Sequence, residues 1–171
     1  KLQEFNEGLK SRYGLSKSLD IQHLIDTANQ TTNLHLYTVH ENYQLRGEIL
    51  PGSEYGGDFY DMFQVGKNKI GLVVGDVADK SLPAVLFMTI AKTVFRSLAK
   101  TIHSPQALME KANLLLSYYN DSCMFLTAFY GVFDPKLGTL TFCNGGHYPP
   151  YILSENGSLT KLDQRGGMAL G

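Results

Sequence analysis

The apolar and polar positions of this chain change period twice, and the changes mark its elements. Residues 1–33 are polar and mixed, and Ser18-Leu19-Asp20 caps a predicted helix running to about Asn29. On that helix Ile21, Leu24, Ile25 and Ala28 recur at i, i+3, i+4 and i+7. From Leu34 the pattern turns to strand. Leu34, Leu36 and Val39 mark one short stretch and Tyr43 to Leu50 a second, ended by Pro51-Gly52-Ser53. Phe59 to Val65 and Lys69 to Val77 read as a hairpin around Gly66-Lys67-Asn68. Ile70 to Val74 is continuously apolar, which predicts a central strand covered on both faces.

The period then becomes helical. Ser81 is a good N-cap, Pro83 fits the first turn, and the segment to about Leu98 is apolar around most of its circumference. Such a helix is expected to be buried against a sheet. Ser104-Pro105 repeats the start signal, with Leu108, Ala112, Leu115, Leu116 and Tyr119 as an amphipathic stripe. Strand pattern returns from Cys123 to Phe133 and from Thr139 to Cys143, around a turn at Asp134 to Gly138. Tyr148 to Leu153 and Ser158 to Leu162 make a last hairpin around Glu155-Asn156-Gly157. Strands, two adjacent helices and strands again predict an α+β fold with helices packed on antiparallel sheet.

Composition narrows the function classes. The chain has 171 residues, 43% of them apolar, enough for one domain with a sizeable core. A formal net charge of −1 argues against a dedicated nucleic-acid binder. No apolar run reaches the length of a membrane span, and the start lacks a signal-peptide core. Cys123 and Cys143 sit in apolar strand-like sequence without metal-type spacing. They read as buried thiols of a reducing, cytoplasmic compartment, with a single disulfide as the alternative.

Candidate chemistry gathers at strand ends. Gly56-Gly57-Asp58-Phe59-Tyr60-Asp61 and Gly75-Asp76-Val77-Ala78-Asp79-Lys80 place carboxylates beside apolar strands, flanked by glycines. Hard oxygen ligands of this kind suit Mg²⁺ or Mn²⁺. Asp76 follows the central strand where side chains reach a cleft, although Gly-Asp alone fits equally a strand-to-helix turn. Asp58 and Asp61 are three apart, so a regular strand points them to opposite faces. Asp58 is the one favoured to join Asp76, because the preceding glycines permit close approach, and Asp61 is assigned a supporting or structural role. Asp79 and Lys80 read as surface loop, with Lys80 able to contact a phosphate. His147, in Asn144-Gly145-Gly146-His147-Tyr148-Pro149-Pro150, invites a general-acid role, but a tight bend whose imidazole bonds backbone is the simpler reading.

These motifs, with Met124-Phe125-Leu126-Thr127-Ala128 between them, resemble the ordered motifs of the SpoIIE/RsbU-type protein phosphatases. These are metal-dependent, type 2C-like (PPM) Ser/Thr phosphatases. The resemblance covers about residues 43 to 171. It implies an αββα sandwich of two antiparallel sheets flanked by helix pairs, with a two-ion Mn²⁺ or Mg²⁺ site at one sheet edge. The Asp matching Asp76 bridges the ions, the carbonyl matching Val77 is a ligand, and the Asp matching Asp58 joins directly or through water. Gly57, Asp61, Lys80 and His147 are expected to support that site or the substrate. An activated water then attacks phosphoserine or phosphothreonine in line, with no covalent enzyme intermediate.

The resemblance further implies a phosphorylated, STAS-type anti-sigma-factor antagonist as substrate, in a bacterial partner-switching pathway. The alternative is a catalytically inactive interaction domain of the same fold. Three departures stand out: Ser81 where the family has Gly, no Asp-Gly-His segment after Asp76, and no late Thr-Asp-Gly segment before Gly171. The expected organisation is residues 1–33 as a connector from an upstream sensor module and residues 34–171 as a phosphatase domain without its C-terminal part. Weak metal binding and a homodimer formed through an exposed sheet edge are expected from that organisation.

Overall fold

A four-stranded antiparallel sheet, in the order β3-β4-β5-β6, forms the centre of the computed structural model. Its strands are β3 (Asp58–Val65), β4 (Lys69–Val77), β5 (Leu126–Asp134) and β6 (Thr139–Gly145). The structure describes residues 36–40, 43–50, 56–118, 120, 123–163 and 166–171, all within the compact unit Thr32–Gly171. The helix expected over residues 20–29 lies outside the described residues. Two small antiparallel pairs complete the strands: β1 (Leu36–His40) with β2 (Tyr43–Arg46), and β7 (Tyr151–Leu153) with β8 (Leu159–Lys161). Two helices, α1 (Leu82–Leu98) and α2 (Pro105–Tyr118), join β4 to β5.

The turn at Gly66-Lys67-Asn68 sets the register. Gly66 takes φ 61°, a left-handed conformation that glycine adopts without penalty, and Val65 pairs with Lys69 across the turn. Counting outward without a slip reaches Asp58 opposite Asp76, and Asp76 pairs in turn with Thr127 of β5. Residues paired in this way share a face. Phe59, Asp61, Phe63, Val73, Tyr130 and Val132 therefore point to one side, and Asp58, Tyr60, Asp76, Thr127 and Phe129 to the other.

The helices cover the first side. Ala84, Val85, Phe87, Met88, Ala91 and Phe95 of α1 and Leu108, Met109, Ala112 and Leu116 of α2 are buried. Phe95 and Tyr130 are fully enclosed with ring centroids 5.9 Å apart. Burying each such ring stabilises the fold by about 2–3 kcal/mol. Gly71 and Gly75 belong to this packing, since a Cβ on either would come within 2.5 Å of the Phe63 or Phe59 ring. The Tyr130 hydroxyl is buried with no hydrogen-bond partner among the described residues, and that burial pushes its pKa up to about 12.

The second side meets the segment after β2. Tyr60 donates from its hydroxyl to the Gly47 carbonyl at 2.9 Å, and Tyr43 packs edge-on against Phe133 at 5.1 Å. Helix pair, main sheet and small sheet thus stack as layers. The fold is α+β and antiparallel, as the element order predicts. Among the described residues, one helix pair flanks the sheet.

Several local expectations are corrected. β4 is central but is not covered evenly, for Val74 on the second side is 44% exposed. α1 buries one stripe, with Leu86 58% exposed on the far side, because a single sheet face can cover only part of a helix. In α2, Met109 is buried where the pattern expected Leu115, which is only half-buried. Cys123 lies before β5, exposed and at φ 51°, so it is not a buried strand thiol. Cys143 is half-buried in β6 and both thiols are free, which removes the disulfide alternative.

Candidate functional site

Both acidic motifs arrive at one edge of the main sheet. Asp58 opens β3 and Asp76 is the penultimate residue of β4, directly across the ladder. Directly opposed like charges repel, and here both side chains stand on the face away from the helices. Burial, a hydrogen bond with Asp58 and the Asp58 charge, in that order, raise the Asp76 carboxyl above its ordinary value. The Lys80 ammonium acts in the opposite direction.

Backbone fixes the end of this edge. The Val77 amide donates to the Gly57 carbonyl at 3.2 Å, and the Ala78 amide donates to the Phe125 carbonyl at 2.9 Å. A Cβ on Gly57 would lie 2.6 Å from the Val77 carbonyl oxygen, so only glycine leaves room beside that oxygen. The chain then bends sharply. Asp79 adopts φ 97°, an uncommon conformation for a residue with a side chain. Its carboxylate accepts the Lys80 amide at 2.7 Å and the Ser81 hydroxyl at 2.7 Å, and those bonds hold its carboxyl below the usual range. Ser81 stands at the N-cap position of α1, yet its hydroxyl serves this loop and not the helix amides. Its carbonyl still accepts the Val85 amide at 3.1 Å.

Asp61 is absent from this edge. It points to the helix side, is 3% exposed, and accepts two bonds from the Arg96 guanidinium at 2.6 and 2.8 Å. It also accepts the Met62 amide at 2.9 Å. Its contacts join β3 to α1.

His147 is brought to the site by a turn that the local sequence shows only in part. Asn144 and His147 clasp each other: Asn144 Oδ1 accepts the His147 amide at 2.8 Å, and Asn144 Nδ2 donates to the His147 carbonyl at 2.9 Å. Gly146 between them takes φ 72°. The bend itself is as expected, but among the described residues the imidazole bonds a side chain and not backbone. Its Nδ1 is 2.8 Å from the Thr127 hydroxyl, one strand over from Asp76. Burial lowers the ring's pKa, and the Asp58 charge opposes that shift, so Asp58 acts on His147 as well as on Asp76. Thr127 and Asn144 were missed as site residues. An Asn three residues before a His is a recognisable side-chain turn, whereas nothing local marks Thr127.

The last residues close the rim. Leu170 exchanges two backbone hydrogen bonds of 2.8 Å with Leu126, and the Gly167 amide donates to the Asn144 carbonyl at 2.7 Å. Gly145 is packed so closely that a Cβ would meet the Leu170 side chain at 2.5 Å.

Residues 66–171, with Asp76, Thr127 and His147 among them, match the family described as Stage II sporulation protein E (SpoIIE). The chain belongs to the SpoIIE family. It is a SpoIIE/RsbU-type domain of the PPM phosphatase class. Asp58 falls before the matched span, and the β3–β4 pairing is what delivers it to the same edge.

Protein IcfG of Synechocystis sp. is 27% identical over 153 residues, covering 74% of this chain and 24% of that protein. Phosphoserine phosphatase RsbU of Bacillus subtilis is 28% identical over 122 residues, covering 71% of this chain and 36% of that protein. The SpoIIE-type domain therefore spans about a quarter and about a third of these relatives. Its fold matches the crystal structure of the RsbU and RsbW domains of Rv1364c from Mycobacterium tuberculosis. That match has a TM-score of 0.60 and 21% identity, over 81% of this chain and 36% of that one.

Proposed function

We propose that this domain is a metal-dependent protein phosphatase that hydrolyses phosphoserine or phosphothreonine on a regulatory protein. The observation that carries the reading is the Asp58–Asp76 pair, two facing carboxylates at a sheet edge that take part in no salt bridge among the described residues, in a chain of this family. The donor set fits a hard divalent cation. Positive charge between the two carboxylates would offset the burial and the Asp58 charge that raise Asp76, and the Val77 carbonyl, kept accessible by Gly57, is a further oxygen donor. When bound, Mn²⁺ or Mg²⁺ supplies an activated water and neutralises phosphoryl charge.

The chain's own residues then have separable tasks. Asp58, Asp76 and the Val77 carbonyl hold the cation. The Asp79 and Ser81 bonds fix the loop that follows, and Lys80 on that loop attracts the phosphoryl group. A phosphorylated STAS-type anti-sigma-factor antagonist in the cytoplasm is the proposed substrate, supported by the resemblance to RsbU, a phosphoserine phosphatase by name.

A second reading, an inactive interaction domain of the same fold, draws on a specific fact. Among the described residues, no group of three or more His, Cys, Asp or Glu side chains gathers as a metal site. Calorimetric Mn²⁺ titration of the chain, paired with Mn²⁺-dependent release of phosphate from a phosphoserine peptide, separates the two. Binding and turnover that both disappear in Asp76→Asn support the phosphatase. Binding without turnover, or neither, supports the interaction domain.

A further inference from the structure

We propose that Thr127, His147 and Asn144 form a phosphoryl-orienting unit, in which Nε2–H of a neutral His147 donates to a phosphoryl oxygen of the substrate and Thr127 fixes the ring tautomer. The proposal rests on the phosphatase reading and names residues for the substrate side of that site.

The geometry supplies three constraints. Thr127 sits in register with Asp76, which is itself in register with Asp58, so its hydroxyl rises from the face that carries the carboxylates. The 2.8 Å contact to Nδ1 pins one edge of the imidazole to that face. The two Asn144 bonds then fix the backbone from which the ring projects, leaving little freedom at its root.

The tautomer follows from the part the hydroxyl plays. A threonine hydroxyl can donate to Nδ1 or accept from it, and a neutral imidazole has one N–H to place. Which ring nitrogen carries that proton is set by the bond the other one makes. Thr127 as donor to Nδ1 leaves Nε2–H free for an anionic oxygen. A phosphoryl group anchored near Asp58 and Asp76 brings such an oxygen.

The test uses the whole chain. Nitrogen-15 spectra of the imidazole should show His147 as the Nε2–H tautomer, and its Nε2 signal should move on titration with inorganic phosphate in the presence of diamagnetic Mg²⁺. With p-nitrophenyl phosphate, His147→Gln and Thr127→Val should each lower kcat/KM by about 10- to 100-fold, the loss of one hydrogen bond to a charged group. Thr127→Ser, which keeps the hydroxyl, should restore activity to within about threefold. Thermal melts of the variants identify any that merely unfold, and the tautomer reading on the unmodified chain stands independently of them.

An Nδ1–H tautomer overturns the proposal. So does unchanged phosphate binding and turnover in a folded Thr127→Val variant. If the unmodified chain releases no phosphate from any phosphomonoester, the phosphatase reading fails. The orienting unit is supported even then if the Nε2 signal responds to phosphate, and is overturned if it does not.

Discussion

Asp58 and Asp61 stand three residues apart on one strand, and they have opposite surroundings. Asp61 faces the helices with its cation built into the fold, since Arg96 grips it with two bonds and also lies 5.5 Å from the Phe63 ring centroid. Asp58 faces the other way and meets a second carboxylate, Asp76, whose protonated form is favoured by that encounter. A buried carboxylate with its own guanidinium contributes to architecture. A pair of facing carboxylates works against the folded state unless something positive is added from outside. This contrast within one strand distinguishes a structural acid from one kept for an external cation.

The sharpest way to break the comparison is on the site side. Asp76→Asn should lower Mn²⁺-dependent phosphate release by about a thousandfold, the upper end of the effect typical of losing one stabilising donor. A variant retaining a tenth of the activity would show that Asp76 is not a ligand. On the structural side, Arg96→Met should destabilise by about 3 kcal/mol in urea unfolding, because it strands a buried carboxylate. If the midpoint does not move, the ion pair is not what joins β3 to α1.

Gly57→Ala tests the backbone part of the edge. Its Cβ would lie 2.6 Å from the Val77 oxygen, so the edge must shift. Activity should drop by about 10- to 100-fold, the range seen when the support of a metal ligand is disturbed. Stability should fall by about 1–3 kcal/mol. A folded Gly57→Ala variant with unchanged activity would remove the special role of the Val77 carbonyl.

The smallest effect is the most diagnostic of the contrast. A carboxyl whose folded pKa is raised contributes stability that is fully present below its unfolded value of 3.8 and is lost as pH rises through the folded value. At pH 7 without metal, the ionised pair therefore opposes folding, and Asp76→Asn should raise Tm by about 1–4 °C. The gain should vanish below the unfolded pKa, where the Asp76 carboxyl is protonated in either state. A variant that melts lower than the parent at pH 7 would contradict the repulsion argument. Asp61→Asn, in contrast, should lower Tm at the same pH.

Much of the fold was legible locally. Pro83 and Pro105 mark helix starts because proline is preorganised for the first turn, and α1 and α2 begin there. Gly66 marks the hairpin because a left-handed turn favours glycine, and the pairing counted from it leads to the acidic pair. The opposite orientation of Asp58 and Asp61 follows from the strand's period of two. Legibility stopped where burial depends on distant neighbours. The apolar run at Ile70 to Val74 could not reveal that Val74 would stay partly open, nor could the pattern of α1 show which stripe the sheet would cover. Cys123 looked like strand interior, yet the ladder does not begin until Leu126.

The sequence by itself determined the kinds of elements, their order, the hairpin joining β3 to β4, and the acidic strand ends that identify the family. These depend on propensity, periodicity and turn chemistry, which act over a few residues. Only the tertiary structure decided that Asp61 would take Arg96 as its partner, 35 positions along the chain. It alone set Thr127 beside Asp76 and brought His147, 20 positions further on, against the Thr127 hydroxyl. Such meetings are fixed by strand register and by the packing of helices on one sheet face, and no short stretch of sequence encodes either alone.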